Sequence, residues 1–187
     1  MRKNMKYILL LALIVLASLA AGCDKEQTAS VAAQTTKQES VSAADEAKKQ
    51  QPAEAELTLY YPDTNGEKLI AVKETKKIAD GNKYLTAVKA LLEKPENKNV
   101  VNVFPKNVKV RSVQLKGDCA YVDFSSEIMK QGEGSTGEMM IVGSVVNTLT
   151  EFPEVKKVQF LVEGEKVESF SGHMDTSEPL ARMKNLL

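Results

Sequence analysis

The chain has 187 residues with 25 basic and 25 acidic side chains, one histidine, two cysteines and no tryptophan. Balanced charge without a basic stripe argues against a nucleic-acid partner held through phosphate contacts. Two cysteines and one histidine are too few for a cysteine-based metal cluster.

At the N-terminus, Arg2, Lys3 and Lys6 precede an apolar run from Tyr7 to Ala17, and small residues then lead to Cys23. This is the layout of a secretory signal, and the run is shorter than the ~20 residues of a membrane-spanning helix. Leu19-Ala20-Ala21-Gly22-Cys23 resembles a bacterial lipobox, with Ala20 at the place where leucine is commonest. Residues 1–22 are therefore expected to be a signal peptide, and Cys23 the lipidated first residue of the mature chain. Two acyl chains on that thiol suffice for stable anchoring. The alternative is an uncleaved anchor with an incidental cysteine. In either case the remainder faces outward from the cell membrane. Loss of the signal leaves 22 basic against 25 acidic residues. Cys119 is then the second thiol without a partner for an intrachain disulfide, and its apolar setting, CAYVDF, predicts an inert, partly buried group.

Residues 23–56 hold the cysteine and a spacer. From Asp24 to Glu56 there is no aromatic and no glycine, and the large aliphatics are Val31 and Val41. Such a segment buries too little apolar surface to offset the entropy of ordering, although Ala43 to Gln51 has helix-forming composition.

A single domain is expected over 57–187. LTLYYPD alternates as a strand does, and Asn65-Gly66 turns it into a second strand, KLIAVKET. Asn82 is placed to cap a helix with Tyr84, Val88, Leu91 and Leu92 on one face, stopped by Pro95. VKVRSVQL and CAYVDFS form a hairpin through Lys116-Gly117-Asp118, with a slip of apolar phase that predicts a bulge at Arg111-Ser112. A long helix is expected from Thr136 to Phe152, ending at Pro153, with Val142, Val145, Val146, Leu149 and Phe152 as its core stripe. Gly143 and Ser144 in that stripe predict that a strand or the other helix passes close by, and Met139, Met140 and Ile141 leave part of the first turn as apolar surface for a partner. KKVQFLVEG is the last strand, with Val158, Phe160 and Val162 on one face, and EPLARMKNLL a short closing helix. The order ββαββαβ predicts an α+β fold: two layers, a mixed and mostly antiparallel sheet, and two helices on one face.

Two stretches invite a chemical reading. Gly132-x-Gly134-x-x-Gly137 has the spacing of a dinucleotide loop, and Glu163 lies about where a ribose-binding acid would. The preceding strand, however, is half polar and follows a hairpin, seven residues separate Phe124 from Gly132, and Glu133 and Glu138 would repel phosphate. Ser135-x-x-Glu138 fits a capping box instead, with Glu138 also favoured by the helix dipole. The second stretch is SGHMDTSEPL, where His173 stands near Asp175, Ser177 and Glu178. One histidine among carboxylates is a poor zinc set, and adjacency in a loop does not make a triad. Turn chemistry organised by Asp175 or Thr176 is the plainer reading. Neither a catalytic set, a metal site nor a cofactor is expected.

YLTAVKALLEKP, FPKNVKVRSVQLKGDCAYVDFSSEI and the run from GSTGEMMIVG to GHMDTSEPL resemble the sporulation and spore germination (GerMN) domain across nearly all of Leu57 to Ala181. The resemblance implies an extracytoplasmic, often lipid-anchored module related to ring-building domains, one that assembles with envelope proteins as a homo- or hetero-oligomer and has no catalytic residues. GHMDTSEPL is implied to be a signature of the domain's end. The lipoprotein that gives the family its name has two such domains; this chain has one, which leaves open a role in sporulation, in germination or in the envelope generally. A different class of function is a solute- or glycan-binding lipoprotein with Tyr60, Tyr61 and Tyr84 lining a small site. Ten aromatics in the whole chain leave little for a cleft of that kind.

Overall fold

The computed structural model describes residues 53–130 and 134–187. Residues 1–22, Cys23, most of the spacer and Gly132 lie outside the described residues. The chain begins with a hairpin in which β1 (Glu54–Pro62) pairs antiparallel with β2 (Leu69–Lys77), from Glu54↔Lys77 to Pro62↔Leu69. The Asn65-Gly66 signal lies in its turn. Gly66 takes a φ of +71°, and Asp63 Oδ1 accepts the N–H of Glu67 at 2.8 Å.

Helix α1 spans Lys83–Leu92. Asn82 caps it as expected, accepting the N–H of Leu85 through its side chain at 2.9 Å. The other end is closed by a group not foreseen from the sequence: Asn102 Nδ2 donates to the carbonyls of Leu91, Leu92 and Glu93. These are carbonyls that a helix end leaves without partners.

Strands β3 (Val110–Lys116) and β4 (Cys119–Phe124) form the second hairpin. Gly117 supplies the positive φ of +62° at the start of its two-residue loop, and the register shifts between Val110 and Ser112, which puts the bulge at Arg111. Helix α2 spans Gly134–Leu149. It starts two residues before the expected Thr136 and ends three before Phe152. β5 (Lys157–Val162) then runs parallel to β4, and the short β6 (Glu165–Lys166) and β7 (Leu180–Ala181) each pair antiparallel with β5.

The fold is α+β with mixed, mostly antiparallel strands, as the element order implies. The strands divide between two sheets, β1-β2 and β3-β4-β5-β6, with β7 also on β5. The helices pack against each other, and β1 packs on both of them. This arrangement changes the character of α2. In place of one apolar stripe, twelve of its sixteen residues are buried, because the first hairpin and the closing segment cover faces that would otherwise meet water. Glu138, Ser144, Asn147 and Thr148 are among them.

The closing segment corrects the reading of EPLARMKNLL as a helix. Leu180 and Ala181 are extended on Val158 and Lys157, and a single 3₁₀ turn follows at Lys184–Leu186. Pairing with an otherwise open stretch of β5 outweighs the high helix propensity of Leu180, Ala181, Arg182 and Met183. The nearest neighbour of Gly143 is the side chain of Leu186 in this closing turn, neither a strand nor α1, and the expected strand comes second, through Leu69 of β2. A Cβ on Gly143 would stand 2.5 Å from Leu186 Cδ1 and 3.1 Å from Leu69 Cδ1. Gly143→Ala is therefore expected to destabilise the domain despite its better helix propensity, since overpacking costs about 1–3 kcal/mol against about 1 kcal/mol gained. In urea titrations Leu186→Ala should cost less in the Gly143→Ala background than alone. Strict additivity would show that the two sites do not touch.

Candidate functional site

The residues singled out in the sequence fall into four places. The first is the start of α2. Ser135 sits inside the helix, so it cannot be its N-cap, and Glu138 is fully buried. The capping-box reading is overturned because the Glu138 carboxylate is taken up by a distant loop, residues 169–173. Its Oε1 accepts from Ser169 Oγ at 2.6 Å, Phe170 N at 2.8 Å and Ser171 N at 3.1 Å. Its Oε2 accepts from Ser171 Oγ at 2.8 Å and His173 N at 2.9 Å. Burial alone would raise this carboxyl, but the hydroxyls of Ser169 and Ser171 and the N–H groups of Ser171 and His173 outweigh it and hold it down at about 2. The loop SFSGH is thus a cradle of donors already filled by a carboxylate of the same chain.

The second place is the end of β4 and β5. Here one objection to a nucleotide loop fails, since β4 does pair in parallel. Glu163, the would-be ribose acid, is spent on the fold: it turns with φ +52°, accepts Ser126 N at 2.9 Å through Oε1 and pairs with Arg111 at 2.7 Å through Oε2. Asp123 accepts Gly164 N at 2.9 Å beside it. Glu163 and Asp123 are thus used within the fold, and of the glycine pattern Gly134 and Gly137 lie in the first turn of α2.

The third place is the His173 loop. Asp175 Oδ1 accepts both the N–H (2.9 Å) and the hydroxyl (2.6 Å) of Ser177, an Asx turn of the expected kind. Thr176 is fully buried, donating to Val167 O and, through its N–H, to Glu168 O. Among the described residues no group of three or more histidine, cysteine or acidic side chains is placed to hold a metal. Cys119 is a buried free thiol pushed up chiefly by burial.

The fourth place corrects the shared tyrosine site, because the three rings diverge. Tyr61 is buried and donates to Ala90 O at 3.1 Å. Tyr60 donates to Glu151 at 2.7 Å and accepts from Arg182 at 2.6 Å, within a clasp that fastens the closing segment to α2. Tyr84 donates to Glu154 at 2.5 Å and sits edge-on to Phe152.

Tyr84 does border a wide depression of about 1200 Å³ between the open end of the first hairpin, the start of α1 and β3. Its walls are mainly apolar, with Ala55, Ile78, Val113 and Leu115 among them. Among the described residues β3 pairs with β4 alone. Asn82 Nδ2 donates to Val113 O at 2.9 Å, so the residue that caps α1 also covers part of this free edge. Ala53, where the N-terminal segment enters the domain, lines the same depression. No isolated residue in the sequence signals this groove, which three separate segments build.

A family model for sporulation and spore germination (Germane) matches residues 58–168. The chain is also similar to the tandem GerMN domains of the sporulation protein GerM from Bacillus subtilis, at 27% identity and a TM-score of 0.53 over 70% of this chain and 46% of that one. To the first GerMN domain of that protein it is similar at 25% identity and a TM-score of 0.55, over 68% of this chain and 98% of the other. It spans about half the length of the tandem structure and nearly all of the single domain. No curated protein matches the chain.

Proposed function

Because the chain belongs to the sporulation and spore germination (Germane) family, we propose that it is a non-enzymatic docking module of the bacterial cell envelope, tethered through Cys23 to the outer face of the cytoplasmic membrane. The signal-like N-terminus and the lipobox-like residues before Cys23 support the anchor. No helix among the described residues is long and apolar enough to cross a membrane. The polar groups that would suggest chemistry are each used to hold the fold: Glu138, Glu163, Asp175 and the Arg182–Glu151 pair.

The observation that carries the docking reading is the groove beside β3. It combines apolar walls with a sheet edge that offers backbone groups to an added segment. Ala53, the first described residue of the domain, lines the groove. A photo-crosslinking residue at Gln114, on the groove wall, should capture one reproducible set of envelope proteins in membranes of sporulating cells. Replacing Cys23 by alanine should abolish palmitate labelling and thin that set. Capture that is no different from a probe at Lys157, away from the groove, would refute the reading.

A further inference from the structure

We propose that the pocket between the first turn of α2 and the closing segment is a binding site for a soft monovalent cation, Cu(I), ligated by the thioethers of Met139, Met174 and Met183 and the imidazole of His173. These four residues line one pocket of about 400 Å³, together with Ser135, Thr136 and Asn185. The chain has seven methionines and one histidine, so three of the seven methionines and the only histidine border a single pocket.

The backbone that carries these donors is held by buried polar groups of α2. Glu138 accepts the N–H of His173 at 2.9 Å, which fixes the His173-Met174 step. Asn147 grips Met183 from both sides, its Oδ1 accepting Met183 N at 2.9 Å and its Nδ2 donating to Met183 O at 3.1 Å. Both anchors are 0% exposed, and Met139 follows Glu138 on the helix itself. Donors on a rigid, internally braced frame are what a preorganised ligand set requires. No carboxylate lines this pocket, while Glu168 and Asp175 line the adjoining one that shares His173 and Met174. Hard cations such as Ca²⁺ and Mg²⁺ need oxygen ligands, whereas thioethers and imidazole select soft Cu(I). His173 is exposed and the three methionines are half-buried, so an ion has access. The competing account of these methionines is deformable apolar filling, and it predicts no stoichiometric ion.

The test uses the full chain with Cys23 and Cys119 replaced by alanine, in detergent, with Ag(I), a redox-inert probe of the same softness, and then Cu(I) under reducing conditions against a chromophoric chelator. With methyl-labelled methionine, the signals of Met139, Met174 and Met183 should shift together and saturate at one Ag(I) per chain, while Met129, exposed and outside this pocket, should not move. Met139→Leu, Met174→Leu and Met183→Leu combined, a volume-conserving change, should abolish the one-to-one site, and His173→Ala should weaken it roughly tenfold or more. Shifts spread evenly over all methionines, absence of saturation at one ion, or one-to-one binding that survives the triple change in the chain without cysteines would each overturn the proposal.

Discussion

Glu138→Gln is expected to destabilise the domain by about 3 kcal/mol, a large share of the ~5–15 kcal/mol that holds a domain of this size. Both oxygens of the buried carboxylate act purely as acceptors, three donors on one and two on the other. Whichever way the amide of glutamine is turned, its NH₂ faces N–H and O–H groups, and buried donors lose their partner. The figure agrees with the depression of the carboxyl from 4.5 to about 2, at ~1.4 kcal/mol per unit. The pH dependence follows in sign. A carboxyl lowered by folding contributes its full stability above the unfolded value near 4.5 and loses it as pH falls through about 2. Urea titrations should therefore show the gap between the parent and Glu138→Gln proteins narrowing steadily between pH 5 and pH 2. A gap that stays constant across that window would mean that the carboxylate is not the source of the stability.

Phe170→Ala should cost about 3–5 kcal/mol, the range for removing a buried phenylalanine. Phe170 is 1% exposed and lies edge-on to Phe160 at 5.3 Å and to Phe124 at 6.2 Å between ring centres. Those two rings come from the parallel pair β5 and β4, so Phe170 plugs the sheet from the segment that Glu138 holds by its backbone. The two changes act on one loop, and their effects should not add. Once Glu138→Gln has loosened residues 169–173, Phe170→Ala has less native packing left to lose. Hydrogen exchange should show the same ordering, with amides of residues 169–183 opening in either variant before those of β4. Full additivity, or opening that begins in the first hairpin, would separate the carboxylate from the aromatic plug.

The two variants also probe the limit of the sequence reading. Ser135-x-x-Glu138 looked like a capping box because the pattern is local and the box needs only four residues. The true partners of Glu138 lie 31 to 35 positions away, in a loop whose serines look like ordinary turn residues. Serines and backbone N–H groups facing a glutamate have no sequence period that would reveal them. The same holds for Asn82: its Oδ1 caps the adjacent helix start, a local pattern, while its Nδ2 donates to Val113 O across 31 residues, which no local pattern marks. Tyr60, Tyr61 and Tyr84 are close in sequence or similar in kind, yet strand alternation and the position of α1 send them to three different surroundings.

Sequence alone sufficed for whatever a few adjacent residues decide. The turns at Asn65-Gly66 and Lys116-Gly117-Asp118, the cap at Asn82, the bulge at Arg111 and the inward face of Val158, Phe160 and Val162 are settled by backbone conformation and side-chain period, which act over one or two turns of chain. The resemblance to the GerMN domain rests on the same local patterns, and the match of the family model confirms it. Tertiary structure alone decided that β4 and β5 lie parallel, that the strands form two sheets, that Leu180-Ala181 becomes a strand and that Glu138 is a buried anchor. Each of these depends on which distant groups remain unpaired once α2 is enclosed. Desolvation makes such groups seek partners across the fold, and chain neighbours do not record where those partners will be.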